Sequence, residues 1–226
     1  MICQCETCDL KMLFFNCIDP DQIEDYCESR KETTYEEGEA IIAQGERILD
    51  FLYLKEGLVK LFRTTENGEE QIISFGKPYD FVSILSVFSN TNYNYSVTAL
   101  QKSVVCSFDL KQITDLIQSN GIFAHHLIQT LKKSSDRIIM NSLDLLQKRL
   151  YGRVAYLLIY FAEEIFKNES FDLPISRKEM AQFISMSQEN VIRALSAIKK
   201  DGIIQVFGKS IQITDMQRLQ RMRDFS

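Results

Sequence analysis

Residues 175–213 read ISRKEMAQFISMSQENVIRALSAIKKDGIIQVFGKSIQI. Ser176 followed by Glu179 has the capping-box spacing that opens a helix. Met180, Phe183 and Ile184 recur at helical intervals and predict its buried face. A break at Ser185-Met186 leads to Ser187, an N-cap residue for a second helix over Gln188 to about Lys200. In that helix Val191, Leu195 and Ile198 fall inward, leaving Gln188, Glu189, Asn190 and Arg193 to face outward. Asp201-Gly202 closes it, and Ile203–Phe207 and Ile211–Ile213 predict two strands around a Gly208-Lys209 turn. Helix, turn, helix and hairpin in this order form a winged helix-turn-helix pattern.

The outward side chains suit duplex DNA. The N-terminal part of a recognition helix meets base edges in the major groove. The Arg193 fork matches guanine O6 and N7, Glu189 can accept from cytosine N4, and Gln188 or Asn190 can pair with adenine. Arg177, Lys199 and Lys209 are expected to bind phosphates, which positions the domain without reading sequence. The alternative is a charged helix on a protein-interaction module.

Charge distribution supports the nucleic-acid reading despite a net charge of −5. Residues 1–60 hold fourteen acidic and six basic side chains, whereas 174–210 hold six basic and three acidic. Phosphate binding follows the local field, so an acidic chain with a basic end remains a DNA candidate. No apolar run approaches the roughly 20 residues that span a bilayer, and the start, MICQCETCDLK, lacks the basic and apolar regions of a secretory signal. A cytoplasmic protein with no membrane partner is therefore expected.

Between Thr33 and Phe108 the texture is different. The stretches AIIA, FLYL, LVKLF, QIISF, YSVTAL and SVVCSF alternate with turn signals, a pattern of antiparallel sandwiches, jelly rolls and barrels. Asn67-Gly68 between two of them is the strongest hairpin signal. Past Leu110 the period becomes helical, with Leu127, Leu131, Ile138 and Leu145 forming a stripe that predicts a dimerisation seam; an ordinary amphipathic packing helix is the alternative. Asp136 is placed on that seam or in solvent. A second helical segment runs from Arg149 to about Phe166, and Phe171 to Pro174 is expected to be a link. The expected class is α+β: a cysteine-bearing segment over 1–18, a β-roll (jelly-roll) domain over 19–121 with a short helix after Asp19-Pro20-Asp21, a dimer helix over 122–146, and a winged helix-turn-helix over 147–226.

The whole chain resembles the CRP/FNR family of bacterial transcription regulators. The tightest match is Glu189-Asn190-Val191-Ile192-Arg193, the family's reading-helix pattern. The resemblance implies a cyclic-nucleotide-binding-like β-roll, a homodimer, a symmetric double-stranded operator whose bases Glu189 and Arg193 read, and RNA polymerase as a further partner. Members that bind cyclic nucleotide carry a Gly-Glu-Leu stretch and an Arg-Ser or Arg-Thr pair. Here Ile84 stands at the Glu position and Asn94-Tyr95 replace the pair. No Arg or Lys occurs between Lys77 and Lys102. Burying an anion without a cation is costly, so cyclic AMP is not expected.

Six cysteines remain to be explained. Members resembling FNR hold a [4Fe–4S] cluster through three N-terminal Cys and one distant Cys. Cys5 and Cys8 match the CxxC pair, and Cys106 matches the distant ligand. Cys17 takes the third place but follows Cys8 after eight residues where the family usually leaves five; Cys3 is extra. Three readings stay open for these thiols: cluster ligation, a cluster-free redox, zinc or nitric-oxide role, and no metal or redox role. Cys106 in an apolar strand also suits a small buried hydrophobe, as does Cys27 in a short helix. Gating by a non-nucleotide small molecule in the β-roll, or no effector, is the alternative input. His125-His126 diverge by about 100° on a helix and are not expected to share a metal. No convergent acid, base and nucleophile set appears, so an enzyme is not expected. A cysteine-metal enzyme is the alternative from another class.

Overall fold

The computed structural model describes residues 30–225. Cys3, Cys5, Cys8, Cys17 and Cys27, and the helix expected after Asp19-Pro20-Asp21, lie outside the described residues. The chain divides into two compact units at Ile138/Ile139, with Thr65–Ile73 grouped with the second.

Among the described residues seven strands build the first part: β1 (Lys31–Tyr35), β2 (Ala40–Ile42), β3 (Asp50–Glu56), β4 (Val59–Thr64), β5 (Glu70–Gly76), β6 (Ser96–Ala99) and β7 (Ser103–Asp109). They form two sheets, ordered β1-β7-β3 and β2-β6-β4-β5. Phe51, Tyr53, Leu54, Val59, Phe75 and Val97 are buried to within about one per cent and form the heart of this core. Each apolar stretch singled out in the sequence falls on one of these strands, as β2 to β7. β1, KETTY, was not foreseen: it is mostly exposed, has no alternation of large apolar residues, and is held by pairing with β7 from Lys31↔Ser107 to Tyr35↔Ser103. The Asn67-Gly68 turn closes with Gly68 N–H donating to the Thr65 carbonyl at 2.9 Å, Gly68 at φ 77°.

Helix α1 (Leu110–Ser119) starts where the Asp109 carboxylate accepts from the Lys111 and Gln112 amides. Asn120 ends it in an extended conformation and then caps α2 (Gly121–Gln147), its Oδ1 accepting from the amides of Ile122 and Phe123. The four residues of the expected seam are placed differently, with Leu131 and Ile138 half-buried. Leu127 and Leu145 are 2% and 8% exposed within a single protomer, while Ile128, Ile139 and Leu146 are 64%, 53% and 70% exposed. Periodicity locates apolar faces, but it cannot say which one covers the helix's own chain. Asp136 pairs with Lys132 one turn earlier on the same helix.

The C-terminal part comprises α3 (Leu150–Tyr160), continued by a π-helical turn over Phe161–Phe166, then β8 (Ser170–Asp172), α4 (Arg177–Phe183), α5 (Gln188–Lys200), β9 (Ile204–Phe207), β10 (Ser210–Ile213) and α6 (Met216–Phe225). Leu157, Met180, Ile184, Val191, Ile198, Ile211 and Leu219 are fully buried. Phe171 to Pro174 is more than a link, because β8 joins the wing sheet in the order β8-β10-β9. A three-residue strand is too short for alternation to reveal. α6 packs on α3 and buries only Leu219.

Candidate functional site

Both helices of the helix-turn-helix start at caps legible in the sequence. Ser176 Oγ accepts from the Glu179 amide at 3.2 Å, and the Glu179 carboxylate accepts from the Ser176 amide at 2.8 Å, completing the capping box. Ser187 Oγ accepts from the Asn190 amide at 3.2 Å and starts α5. Between them Ser185 takes φ 54°, a left-handed conformation unusual for a residue with a Cβ. Arg153 holds this turn from α3. Its Nε donates to the Lys148 carbonyl at 2.8 Å, and its Nη1 donates to Ile184 at 3.0 Å and Ser185 at 3.4 Å. Sequence reasoning missed this role, which links residues 31 positions apart.

On α5, Val191, Ala194, Leu195 and Ile198 are buried, while Gln188, Glu189 and Arg193 are exposed. This face therefore offers an acceptor carboxylate and a donor guanidinium side by side, the pairing needed to read base edges. Asn190 departs from the outward placement: it is half-buried, and its Oδ1 accepts from the Arg193 guanidinium, so the two form one unit. Lys199 also differs from expectation. It is exposed, yet its ammonium donates to the Val206 carbonyl at 3.2 Å and ties α5 to β9 of the wing. Lys209 is exposed at the wing turn, and its carbonyl accepts from the Leu173 amide at 2.9 Å. Arg177 is half-buried with Nη1 3.3 Å from Met180 Sδ, and desolvation lowers its pKa from the usual value. A guanidinium stays charged through such a shift. Lys178, Ser196 and Lys200 are exposed on the same two helices. So is Ile192, an apolar side chain 47% exposed on α5.

In the first unit Cys106 lies on the central strand β7, opposite Glu32 of β1 and Tyr53 of β3, and is fully buried. Its Sγ is 4.0 Å from the Glu32 carboxylate. Lys55 Nζ donates to both Glu32 oxygens at 3.1 and 3.2 Å, and Arg30 pairs with the same carboxylate. The hydrogen bond to Glu32 raises the Lys55 pKa, with Cys106 among the lesser causes. Among the described residues no group of three His, Cys, Asp or Glu could hold a metal. His125 Nε2 is 2.9 Å from Gln129 Nε2, a contact within its own helix.

In the run that stands where the family's nucleotide cassette would be, several side chains bond to backbone groups. Tyr95 is buried and donates through Oη to the Val82 carbonyl at 2.7 Å. Ser83 Oγ accepts from the Leu52 amide at 3.0 Å, and Ser86 Oγ accepts from the Asn94 amide at 3.2 Å. Burial raises the Tyr95 phenol far above its usual value and pushes that of Tyr93 up to about 12.

Two family descriptions match the chain: a cyclic nucleotide-binding domain over residues 32–120 and a Crp-like helix-turn-helix domain over 152–222. The transcriptional activator FnrL of Cereibacter sphaeroides is 29% identical over 82% of this chain and 77% of its own length. The fumarate and nitrate reduction regulatory protein of Escherichia coli K12 is 24% identical over 96% of this chain and 89% of its own length. Among solved structures, FixK2 from Bradyrhizobium japonicum shares the fold with a TM-score of 0.76 at 22% identity, covering 85% of this chain and 96% of that one. A CRP/FNR-family transcriptional regulator from Thermus thermophilus gives 0.70 at 18% identity over 86% of this chain and 98% of that one. No described helix is long and apolar enough to cross a membrane. With a cyclic nucleotide-binding domain followed by a Crp-like helix-turn-helix domain, and with these relatives, the chain belongs to the CRP/FNR family of DNA-binding transcription regulators.

Proposed function

We propose that the protein acts as a homodimer on a symmetric operator, with α5 of each protomer in a major groove. The exposed pair Glu189 and Arg193 at the N-terminal half of a capped helix carries this reading. Gln188 and Asn190 tune the bases read; Ser187 sets the start of the helix. Arg177, Lys199 and Lys209 position the domain on phosphates, Lys199 while still tied to the wing. The exposed residues Ile128, Ile139 and Leu146 of α2 support the dimer, since they fall on one stripe two to three turns apart and stay open to solvent in the protomer. RNA polymerase is the further partner by family likeness, and the place of action is the cytoplasm.

The test is selection from randomised duplexes. A palindromic motif should emerge, and its binding should weaken linearly in log salt. Enrichment of no symmetric motif, together with Arg193→Ala binding like wild type, overturns the reading.

We infer that the input is redox-linked through Cys5, Cys8, Cys17 and Cys106 rather than through cyclic AMP. The donor chemistry accords with an iron–sulfur cluster, which thiolates hold: Cys106 on β7 would join Cys5, Cys8 and Cys17 as the fourth ligand. It lies opposite Glu32, two positions past Arg30, where the described residues begin. A [4Fe–4S] cluster held there would supply a centre labile to oxygen or nitric oxide. The names of its relatives, FnrL and the fumarate and nitrate reduction regulators, accord with this input. Anaerobically isolated protein should be brown with about four irons per chain; colourless, iron-free protein overturns it.

A further inference from the structure

Two aromatic residues of the first unit carry backbone conformations that their side chains disfavour. Tyr79 has φ 77° and Phe88 φ 66°, left-handed values at which a bulky residue with a Cβ is strained. Both are also exposed, Tyr79 at 44% and Phe88 at 42%. The surrounding backbone holds them there. The Tyr79 amide donates to the Leu54 carbonyl at 2.8 Å, and on either side of Phe88 the Val87 and Asn90 amides donate to the Ser83 and Ser86 carbonyls, each at 3.1 Å. Each ring rests on a buried ring of β3: Tyr79 on Tyr53 with centroids 6.2 Å apart, Phe88 on Phe51 at 5.9 Å. Phe51 and Tyr53 are two residues apart and share one face of the sheet. Tyr53 stands opposite Cys106 of β7, so Cys106 belongs to that face too. The result is an aromatic ledge on the face that carries the buried thiol.

One apolar stretch of the chain has no part in the function proposed above: Met12-Leu13-Phe14-Phe15, inside the eight-residue gap between Cys8 and Cys17. We propose that this stretch docks on the ledge formed by Tyr79 and Phe88. The described residues begin at Arg30, and β1 lies two strands from β3 in the order β1-β7-β3, a separation of about 10 Å. The chain from Phe15 to Arg30 can span up to about 50 Å, so the ledge is within its reach. So short a tether keeps the stretch at a high local concentration, which favours it over a second copy of the chain. Large apolar side chains gain by leaving water for aromatic surface, and the strained turns at Tyr79 and Phe88 present that surface. Cys8 and Cys17 flank the stretch, so its docking brings both toward the face of Cys106. The inference does not require a cluster to be held.

The chain has no tryptophan, so Phe14→Trp and Phe15→Trp each make a single reporter in the full-length protein. At least one should emit at the short wavelength of a buried indole and resist quenching by acrylamide. Phe88→Ser or Tyr79→Ser, added to that reporter, should shift the emission to the red and raise quenching severalfold. Leu49→Ser, at a residue 61% exposed in the same unit, should do neither. Circular dichroism accompanies each variant, because loss of fold would also expose the indole. The reverse pair is read as well: Phe14→Ser with Phe15→Ser should speed hydrogen exchange of the amides from Tyr79 to Phe88 severalfold. Both reporters emitting as exposed indoles, or emission and exchange indifferent to these substitutions, overturn the inference. Burial that vanishes on dilution also overturns it and assigns the ledge to a second copy. Iron content measured on the same samples tests the cluster reading separately.

Discussion

Replacing Arg153 by Met keeps the aliphatic stem and deletes the guanidinium. The two short hydrogen bonds lost are those to Lys148 at 2.8 Å and Ile184 at 3.0 Å; the third, to Ser185 at 3.4 Å, is long. A hydrogen bond from a charged donor contributes about 1.5–3 kcal/mol, which bounds the loss at about 3–6 kcal/mol. Arg153 is only half-buried, so water can replace part of what is lost, and a net loss of about 2–3 kcal/mol is expected. Urea unfolding of the full chain should show it as an earlier transition of the C-terminal unit.

The consequence for DNA follows from where those carbonyls lie. Ile184 and Ser185 form the turn between α4 and α5, and Ser185 is already held at φ 54°. Without the guanidinium the turn loosens and α5 loses its fixed direction. Operator affinity should fall while the slope of log affinity against log salt stays unchanged, because no phosphate contact is removed. Arg153→Lys, with a single ammonium, should recover no more than part of the loss. Unfolding of Arg153→Met within about 0.5 kcal/mol of wild type, the spread of neutral surface changes, would refute the argument.

Gly57→Ala should cost several kcal/mol in thermal or urea unfolding: Gly57 has φ +99°, and a Cβ there would lie 2.6 Å from Ser103 Cα and 2.7 Å from the Lys102 carbonyl. Gly38→Ala, with φ +88° but open space around it, should cost only about 1–2 kcal/mol, so equal losses would show that crowding at Gly57 is unimportant. Arg193→Ala should weaken operator binding by about 1–3 kcal/mol per half-site, measured by fluorescence anisotropy, and barely change binding to unrelated DNA. Burial holds Tyr93 neutral by pushing its phenol from 10.0 up to about 12. Its contribution should therefore be complete below pH 10 and lost as pH rises toward 12; Tyr93→Phe should flatten that alkaline fall, followed by circular dichroism.

Why some of this could be read from residues alone is a matter of range. The capping box at Ser176 and Glu179, the Ser187 cap and the Asn67-Gly68 turn are settled by neighbours in sequence, so spacing reveals them. β1 and β8 take their strand form from partners elsewhere: Lys31–Tyr35 from β7, and Ser170–Asp172 from β10. Their side chains carry too little alternation to announce it. Leu127 and Leu145 show the same limit on a helix. Their spacing marks an apolar face, but only the fold tells whether that face meets its own domain or is left for another surface.

The site divides along similar lines. Glu189 and Arg193 were legible because a capped helix with a clear buried stripe leaves its opposite face by elimination. For Lys199 and Asn190 elimination says less, because it treats every outward polar group as free. Lys199 is instead committed partly to the Val206 carbonyl, and Asn190 to the Arg193 guanidinium. Both contacts make the reading surface more rigid than a row of independent side chains would be. An ordered Arg193 loses less freedom when it meets a base, and Lys199 keeps the wing in register with the helix that reads. Removing Asn190 should therefore cost affinity even if it touches no base: Asn190→Ala frees the Arg193 fork, and binding should weaken most at the position Arg193 reads. A uniform loss at every operator position, measured by single-base substitution, would instead assign Asn190 to phosphate or fold, not to holding Arg193.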